Sequence, residues 1–144
     1  MKNEKKTVVV VACSGIGKSF GSVGREAAYE LCENLRPDDT QIVSLSKLVM
    51  GDKAARETVA RNPVVTIDGC KHMCAAKMVK QIGGTIICEA TVFDAYRRHK
   101  ELKPEGIAEL NEQGLKLARV LAEEIANSLP ELAEPESKKG GRHD

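Results

Sequence analysis

The sequence is poor in the features that mark several classes of binding protein. It has no tryptophan, two phenylalanines and two tyrosines, so aromatic platforms that stack against nucleobases or sugars are not expected. Neither sign of charge dominates, because the chain has 22 lysines and arginines and 21 aspartates and glutamates. A nucleic-acid partner is therefore not predicted, since affinity for a phosphate backbone comes mainly from clustered positive charge. No apolar run approaches the ~20 residues of a membrane span, so a membrane partner is not predicted either.

The apolar segment near the amino terminus is also short. Residues 8–12 precede Cys13 in an order that faintly resembles a lipoprotein signal, but the apolar core of a signal needs about 7–15 residues. We interpret the segment as a buried β-strand and expect a cytoplasmic protein with reduced thiols. In that compartment the five cysteines indicate metal binding, redox chemistry or small buried side chains rather than a disulfide framework.

The length of 144 residues predicts one domain over residues 1–129 and a tail over 130–144. Proline, glutamate, lysine and glycine dominate the tail, which is typical of disordered segments. Residues 13–24 are rich in glycine and serine and predict a loop. The periodicity of apolar residues predicts strands over 7–12, 40–45, 63–67 and 85–88, and helices over 25–35, 72–82, 92–99 and 104–129. Residues 48–61 predict a short helical or irregular crossover.

Strands that alternate with helices predict an α/β fold. We expect a small Rossmann-like three-layer sandwich with about four mostly parallel strands and a C-terminal helix. The apolar stripe of that last helix is expected to pack on the sheet, with a partner protein or a homodimer seam as the alternative. It comprises Ile107, Leu110, Leu117, Leu121 and Ile125.

Ligands of such folds bind at the carboxyl ends of the strands. By the predicted boundaries, Cys13 follows the first strand and Ser44 ends the second. Asp68 and Cys70 follow the third strand, and Cys88 ends the fourth. The sequence therefore predicts three cysteines and a serine at one edge of the sheet.

The segment DGCKHMC, residues 68–74, is the most informative part of the chain. Cys70 and Cys74 have a spacing inside the range seen in zinc sites, and at helical spacing both thiols share one face. A helix N-terminus favours thiolate, the form that binds metal. Gly69 permits the tight turn from strand to helix. Together with Cys13, these residues predict a thiolate metal site.

The sequence also resembles a known family. The segments ACSGIGK (12–18), GREAA (24–28), IDGC (67–70) and CAAK (74–77) are similar to those of the DGC-domain family, small zinc-binding proteins named for the Asp-Gly-Cys motif. The resemblance covers approximately residues 7–84. It implies metal chelation by four cysteines, and it leaves structural, carrier and catalytic roles for the metal open.

Carried over position by position, the resemblance assigns three ligands, which are Cys13, Cys70 and Cys74. The fourth family cysteine ends the second strand, where this chain has Ser44. Cys88 or a water molecule is expected to complete the site, because Cys88 also ends a predicted strand. Asp68 and Lys18 are expected to orient or neutralise the thiolates.

A phosphate-binding loop is an alternative interpretation of the glycine-rich segment. Residues 12–19 fit a relaxed Walker A pattern between a strand and a helix. Gly15 and Gly17 with their neighbours would then cradle phosphates through backbone N–H groups, and Lys18 would reach the outer phosphate oxygens. Ser19 and Asp68 would hold Mg²⁺. This interpretation predicts a small nucleotide-binding or phosphoryl-transfer protein.

Two further alternatives use the thiols differently. Cys13 near Lys18 and a helix N-terminus has the surroundings of a nucleophilic thiolate, so thiol or persulfide transfer with Cys70 or Cys74 as resolving thiol stays open. An iron–sulfur cluster also stays open, because clusters and zinc use the same thiolate ligands.

Overall fold

A computed structural model describes residues 7–13, 19–69, 72–106 and 109–129 of the chain. The strands are β1 (Val8–Ala12), β2 (Thr40–Ile42), β3 (Pro63–Asp68) and β4 (Thr85–Thr91). The helices are α1 (Ser19–Glu30), α2 (Leu45–Met50), α3 (Lys53–Arg61), α4 (Cys74–Ile82), α5 (Val92–Arg98) and α6 (Glu112–Ser128), and a π-helical turn, Leu31–Leu35, extends α1. Tail residues 130–144 lie outside the described residues, so their predicted disorder stays a prediction.

The four strands form one parallel sheet in the order β2-β1-β3-β4. Each strand except the last is followed by a helical crossover, as the alternation of patterns predicts. The α/β class, the Rossmann-like sandwich and the C-terminal helix are therefore confirmed. In the described part of the chain, no helix has both the length and the apolar character needed to cross a membrane.

The sheet separates two apolar cores. Alternate residues of a strand point to opposite faces, so Val8 and Val10 of β1 pack with α1, α5 and α6. Val9 and Val11 pack with α2, α3 and α4 on the other face. The β-branched run at the start of the chain forms β1 because a strand covered on both faces needs apolar side chains in both directions.

Helix α6 packs within the chain, as the apolar stripe predicts. Leu117, Leu121 and Ile125 are buried in the core that α1 shares with the sheet. The predicted start at residue 104 is wrong, since α6 begins at Glu112. Asn111 is its N-cap and accepts hydrogen bonds from the amides of both Gly114 and Glu105, at 2.9 Å each. Ile107 lies outside the described residues, and Leu110 precedes the helix.

Several predicted boundaries are corrected at the carboxyl edge of the sheet. Helix α1 begins at Ser19, so Gly21 and Gly24 lie inside the helix and not in a loop. Gly24 packs tightly there, since an added Cβ would lie 3.4 Å from Cγ2 of Ile67. Strand β2 ends at Ile42, because Ser44 is already the N-cap of α2. Strand β4 continues to Thr91, which accepts a hydrogen bond from the Asp94 amide and so caps α5.

Candidate functional site

The carboxyl ends of β1 and β3 form the topological switch point of the sheet. The chain leaves β1 toward α1 on one face and leaves β3 toward α4 on the other. Ligands of such folds bind at this point, between the carboxyl ends of β1 and β3, which is called the crevice below. The Cys13 amide donates a 2.9 Å hydrogen bond to the carbonyl of Ile67, which carries the strand pairing up to Asp68. Cys13 continues the alternation of Val9 and Val11, so it lies on the α4 face of the sheet, as Asp68 does.

Asp68 holds the start of α4 against the end of β3. Its side chain is 1% exposed, and its two oxygens accept hydrogen bonds from the amides of Ala75 at 2.7 Å and Ala76 at 3.2 Å. Burial raises the pKa of this carboxyl, while those two amides oppose the rise and the charge of Glu89 adds to it. Asp68 therefore acts as a buried cap for helix α4, which places Cys74 beside the crevice.

Gly69 allows the β3–α4 loop to approach the first turn of α1. A Cβ on Gly69 would lie 3.1 Å from the Gly21 nitrogen and 3.2 Å from the Phe20 carbonyl carbon. Both neighbours are backbone atoms, which cannot swing aside as a side chain can. The glycine of the Asp-Gly-Cys motif is therefore required by the close approach of Gly69 to the first turn of α1.

The residue before α4 has an uncommon backbone conformation. Met73 has φ +55° and ψ +48°, and it is the one non-glycine residue with positive φ among those described. For a side chain other than Gly, Asn or Asp this conformation costs about 1–2 kcal/mol. Such strain persists where surrounding contacts impose it and is concentrated at functional sites. Here the Asp68 cap on the next turn supplies such a contact.

Cys74 is the first residue of α4 and is exposed. The positive end of the helix dipole lies at this position, an arrangement that stabilises negative charge. The predicted helix start at residue 72 is wrong by two residues, because the left-handed backbone of Met73 interrupts the helical path. His72 lies in the exposed turn before it.

Four predicted site residues, Cys70, Gly15, Gly17 and Lys18, lie outside the described part of the chain. Ser19 is the first residue of α1. Ser44 lies at the N-cap of α2, and its hydroxyl is 2.7 Å from the hydroxyl of Ser46. Cys13, Asp68, Gly69 and Cys74 are thus the predicted residues that the structure brings to the crevice.

Cys88 does not lie at the end of a strand, so that expectation is wrong. Val64 pairs with Ile86 but Val65 pairs with Cys88, so a β-bulge at Ile87 shifts the alternation of β4. Cys88 therefore packs into the α6 core, on the face of the sheet opposite Cys13. Burial raises the pKa of its thiol, and a hydrogen bond with Ser128 opposes the rise. Because Cys88 does not end a strand, its predicted position gives no support for a role as fourth ligand.

Cys32 lies in the π-helical turn after α1. Its side chain packs against the α6 core, and burial raises the pKa of its thiol. Within the described ranges, which omit Cys70, no group of three or more His, Cys, Asp or Glu side chains is arranged to hold a metal ion.

Sequence reasoning missed two features of the crevice. Thr66 is 0% exposed, and its hydroxyl has no hydrogen-bond partner among the residues that the structure describes. It pairs with Val11 on one side and Glu89 on the other, two positions before Asp68 on the same face. A lone threonine in an apolar strand was the available signal. The second feature is the left-handed Met73, for which the sequence contains no signal, because methionine has no preference for that conformation.

Comparison with protein families gives one match. The model of the family described as DGC domain matches residues 9–113, more than half of the chain. The matched region contains both strand ends of the crevice and helix α4. No curated protein and no solved structure matches the chain.

Proposed function

The chain belongs to the DGC-domain family, and on that premise we propose that it is a cytoplasmic protein that binds zinc through cysteine thiolates. The proposed ligands are Cys13, Cys70 and Cys74. One observation carries the proposal: the end of β1 with Cys13 and the start of α4 with Cys74 adjoin the same crevice, on the same face of the sheet. Zinc bound there would supply a Lewis-acidic centre held by soft sulfur ligands.

The chemistry of the surrounding residues supports a thiolate site. The two hydrogen bonds that Asp68 accepts from amides of α4 connect this helix to β3. The position of Cys74 therefore does not depend on loop packing alone. Gly69, which directly precedes Cys70 in the sequence, packs against the backbone of α1. Outer groups of this kind orient metal ligands and are needed for affinity.

The fourth position of the site is proposed to be open to a ligand from outside the chain. Cys88 lies across the sheet in the α6 core, and the Ser44 hydroxyl pairs with Ser46. Neither of them supplies a further thiolate at the crevice. Three protein ligands with one open position are typical of catalytic and transfer sites rather than structural ones.

The test is the content of zinc, iron and acid-labile sulfide in protein that is purified without chelator or affinity-tag metal and with oxygen excluded. We expect about one zinc per chain and no sulfide. Cys13→Ser, Cys70→Ser and Cys74→Ser should each lose the zinc, whereas Cys32→Ser and Cys88→Ser, as matched controls, should retain it. Iron together with sulfide would indicate an iron–sulfur cluster instead of zinc. A metal-free wild-type protein would overturn the proposal.

The phosphate-loop alternative makes the opposite prediction. It requires Lys18→Ala to abolish ATP or GTP binding and to leave zinc content unchanged. Both Asp68 oxygens accept amide hydrogens of α4, which favours a capping role over Mg²⁺ ligation. We therefore expect no Lys18-dependent nucleotide binding in equilibrium dialysis with Mg²⁺.

A further inference from the structure

The residue that begins helix α4 differs from those that begin α3, α5 and α6. An N-cap residue typically has an extended backbone, and Asp52, Thr91 and Asn111 at the starts of those three helices all have one, with negative φ. The side chain of each also accepts a hydrogen bond from an amide of its own helix. Met73 has φ +55° and makes no side-chain cap. The start of α4 is therefore not stabilised by the residue that forms it.

The cap of α4 comes instead from the preceding strand. The carboxylate of Asp68 accepts hydrogen bonds from the amides of Ala75 and Ala76. The Met73 carbonyl accepts the first bond of the helix, at 2.9 Å from the Lys77 amide. Helix α4 is thus fixed to β3 at its first turn, and this attachment does not use the side chain of residue 73.

The amino acid at position 73 is also unusual for its backbone conformation. The other residues with positive φ in the described part of the chain are Gly51, Gly83 and Gly106, and glycine adopts such a conformation without steric cost. Met73 has a Cβ and directly precedes Cys74. Strain of this kind is concentrated at ligand clamps and switch regions. The chain therefore retains a strained backbone beside a proposed zinc ligand and avoids it at the three glycine positions.

Packing of the Met73 side chain does not account for the strain. The side chain is half-buried, but among the described residues Met73 belongs to neither of the two apolar cores. Neither core therefore offsets the steric cost of the positive φ, and a role at the crevice is the remaining reason for a strained residue at this position.

Strain at Met73 has a direct consequence for a ligand at Cys74. The φ and ψ angles of Met73 set the angle at which the chain enters α4, so a change in them moves Cys74 relative to the preceding segment. Relaxation to negative φ releases the strain and gives up the described position of Cys74. When the binding-competent conformation is strained, the apparent affinity of a ligand falls with the population of that conformation.

We propose that the strained backbone of Met73 lowers the affinity of the crevice for zinc, so that the metal is released to an acceptor ligand rather than held permanently. The inference rests on the proposed function, since it requires Cys74 to be a zinc ligand. It assigns the site to metal transfer, one of the roles that the family resemblance leaves open. A structural zinc site gains nothing from such strain, because tighter binding there adds directly to folding stability.

The test is the zinc affinity of the full chain, measured by competition with a chelator of known affinity. Met73→Gly should bind zinc about tenfold more tightly than the wild type, because glycine adopts the positive φ without strain. Met73→Asn should change the affinity in the same direction by a smaller factor, since asparagine tolerates this conformation better than methionine and less well than glycine.

Two control variants separate backbone strain at the crevice from other effects. Met73→Leu removes the thioether sulfur and retains the strain, so it should bind zinc with wild-type affinity. Gly83→Ala introduces comparable strain at the opposite end of α4, since Gly83 has φ +94° and nothing lies within 4 Å of an added Cβ. It should lower the stability measured by urea unfolding and leave the zinc affinity unchanged.

Three results would overturn this inference and leave the proposed function intact. They are equal zinc affinities of Met73→Gly and the wild type, tighter binding by Met73→Leu to the same degree as by Met73→Gly, and a change of zinc affinity in Gly83→Ala as large as that in Met73→Gly. A wild-type chain that takes up no zinc overturns the proposed function and this inference together, and that result is obtained before any variant is compared.

Discussion

The buried carboxylate of Asp68 accepts a 2.7 Å hydrogen bond from the Ala75 amide and a second bond, at 3.2 Å, from the next amide along the helix. This pair of bonds connects the end of β3 to the first turn of α4. It makes the acidic residue of the Asp-Gly-Cys motif a structural requirement of the crevice, whatever ligand the crevice binds.

Asp68→Ala is expected to lower the free energy of unfolding by about 1–3 kcal/mol, because it leaves two amides at a buried helix end without an acceptor. Urea denaturation measures the change. Asp52→Ala is the matched control, since Asp52 caps α3 by one 2.9 Å bond from Ala55 and is exposed. Its loss should cost about 1 kcal/mol or less. Equal effects of the two variants would contradict the role of burial.

Gly69→Ala is expected to destabilise the protein by about 1–3 kcal/mol, because the new Cβ meets backbone atoms of α1. The same variant should reduce zinc content if the loop positions the thiols as proposed. Gly51→Ala is the control that separates backbone conformation from lack of space. Gly51 has φ +85°, but nothing lies within 4 Å of an added Cβ. That control should lose stability and retain zinc. Full stability of Gly69→Ala would contradict the close approach of Gly69 to the backbone of α1.

The cysteines are expected to differ in their rate of alkylation by iodoacetamide. Cys74 is exposed, whereas burial raises the pKa of Cys32 and Cys88, so these two have less thiolate and less access. Peptide mapping by mass spectrometry at pH 8 should find Cys74 modified before Cys32 and Cys88, and zinc should protect it. In concentrated urea the differences should disappear. Faster modification of Cys88 than of Cys74 would contradict the placement of β4.

Glu124 gives the protein a pH-dependent contribution to stability. Burial raises the pKa of its carboxyl, but hydrogen bonds from His99 at 3.0 Å and Arg98 at 2.6 Å outweigh burial, and the net pKa is lowered. A lowered pKa stabilises the folded state above the unfolded pKa, and this contribution is lost as pH falls through the folded value. Since Glu124 is 38% exposed, the contribution is under about 1 kcal/mol.

The measurement is urea unfolding of wild type and Glu124→Gln at pH 7, 5 and 3. The wild type should be more stable at pH 7, and the difference should shrink toward pH 3, where the carboxylate becomes protonated. Asp94→Gln, at an exposed carboxyl whose ion pair with Arg97 is 3.9 Å long, should show a smaller difference. A difference that grows toward pH 3 would contradict the direction of the shift.

The α/β class of the fold and the positions of Asp68 and Gly69 after a buried strand follow from local sequence patterns. Local patterns are sufficient for this, because a β-branched run such as residues 8–11 is compatible with a strand covered on both faces, and Asp68 and Gly69 follow such a strand directly. Cys13 and Cys74 are predicted as site residues from their order along the chain, from the spacing of Cys70 and Cys74, and from the family resemblance. The family resemblance, now shown by the match over residues 9–113, had the same basis in local motifs.

Features that depend on strand register and on contacts between distant segments follow only from the tertiary packing. One additional residue in β4 transfers Cys88 to the opposite face, and no local pattern shows this, because a bulge is set by pairing with β3. The start of α4 follows from Asp68 capping amides seven and eight residues further on. These hydrogen bonds form only where packing brings the end of β3 against the first turn of α4.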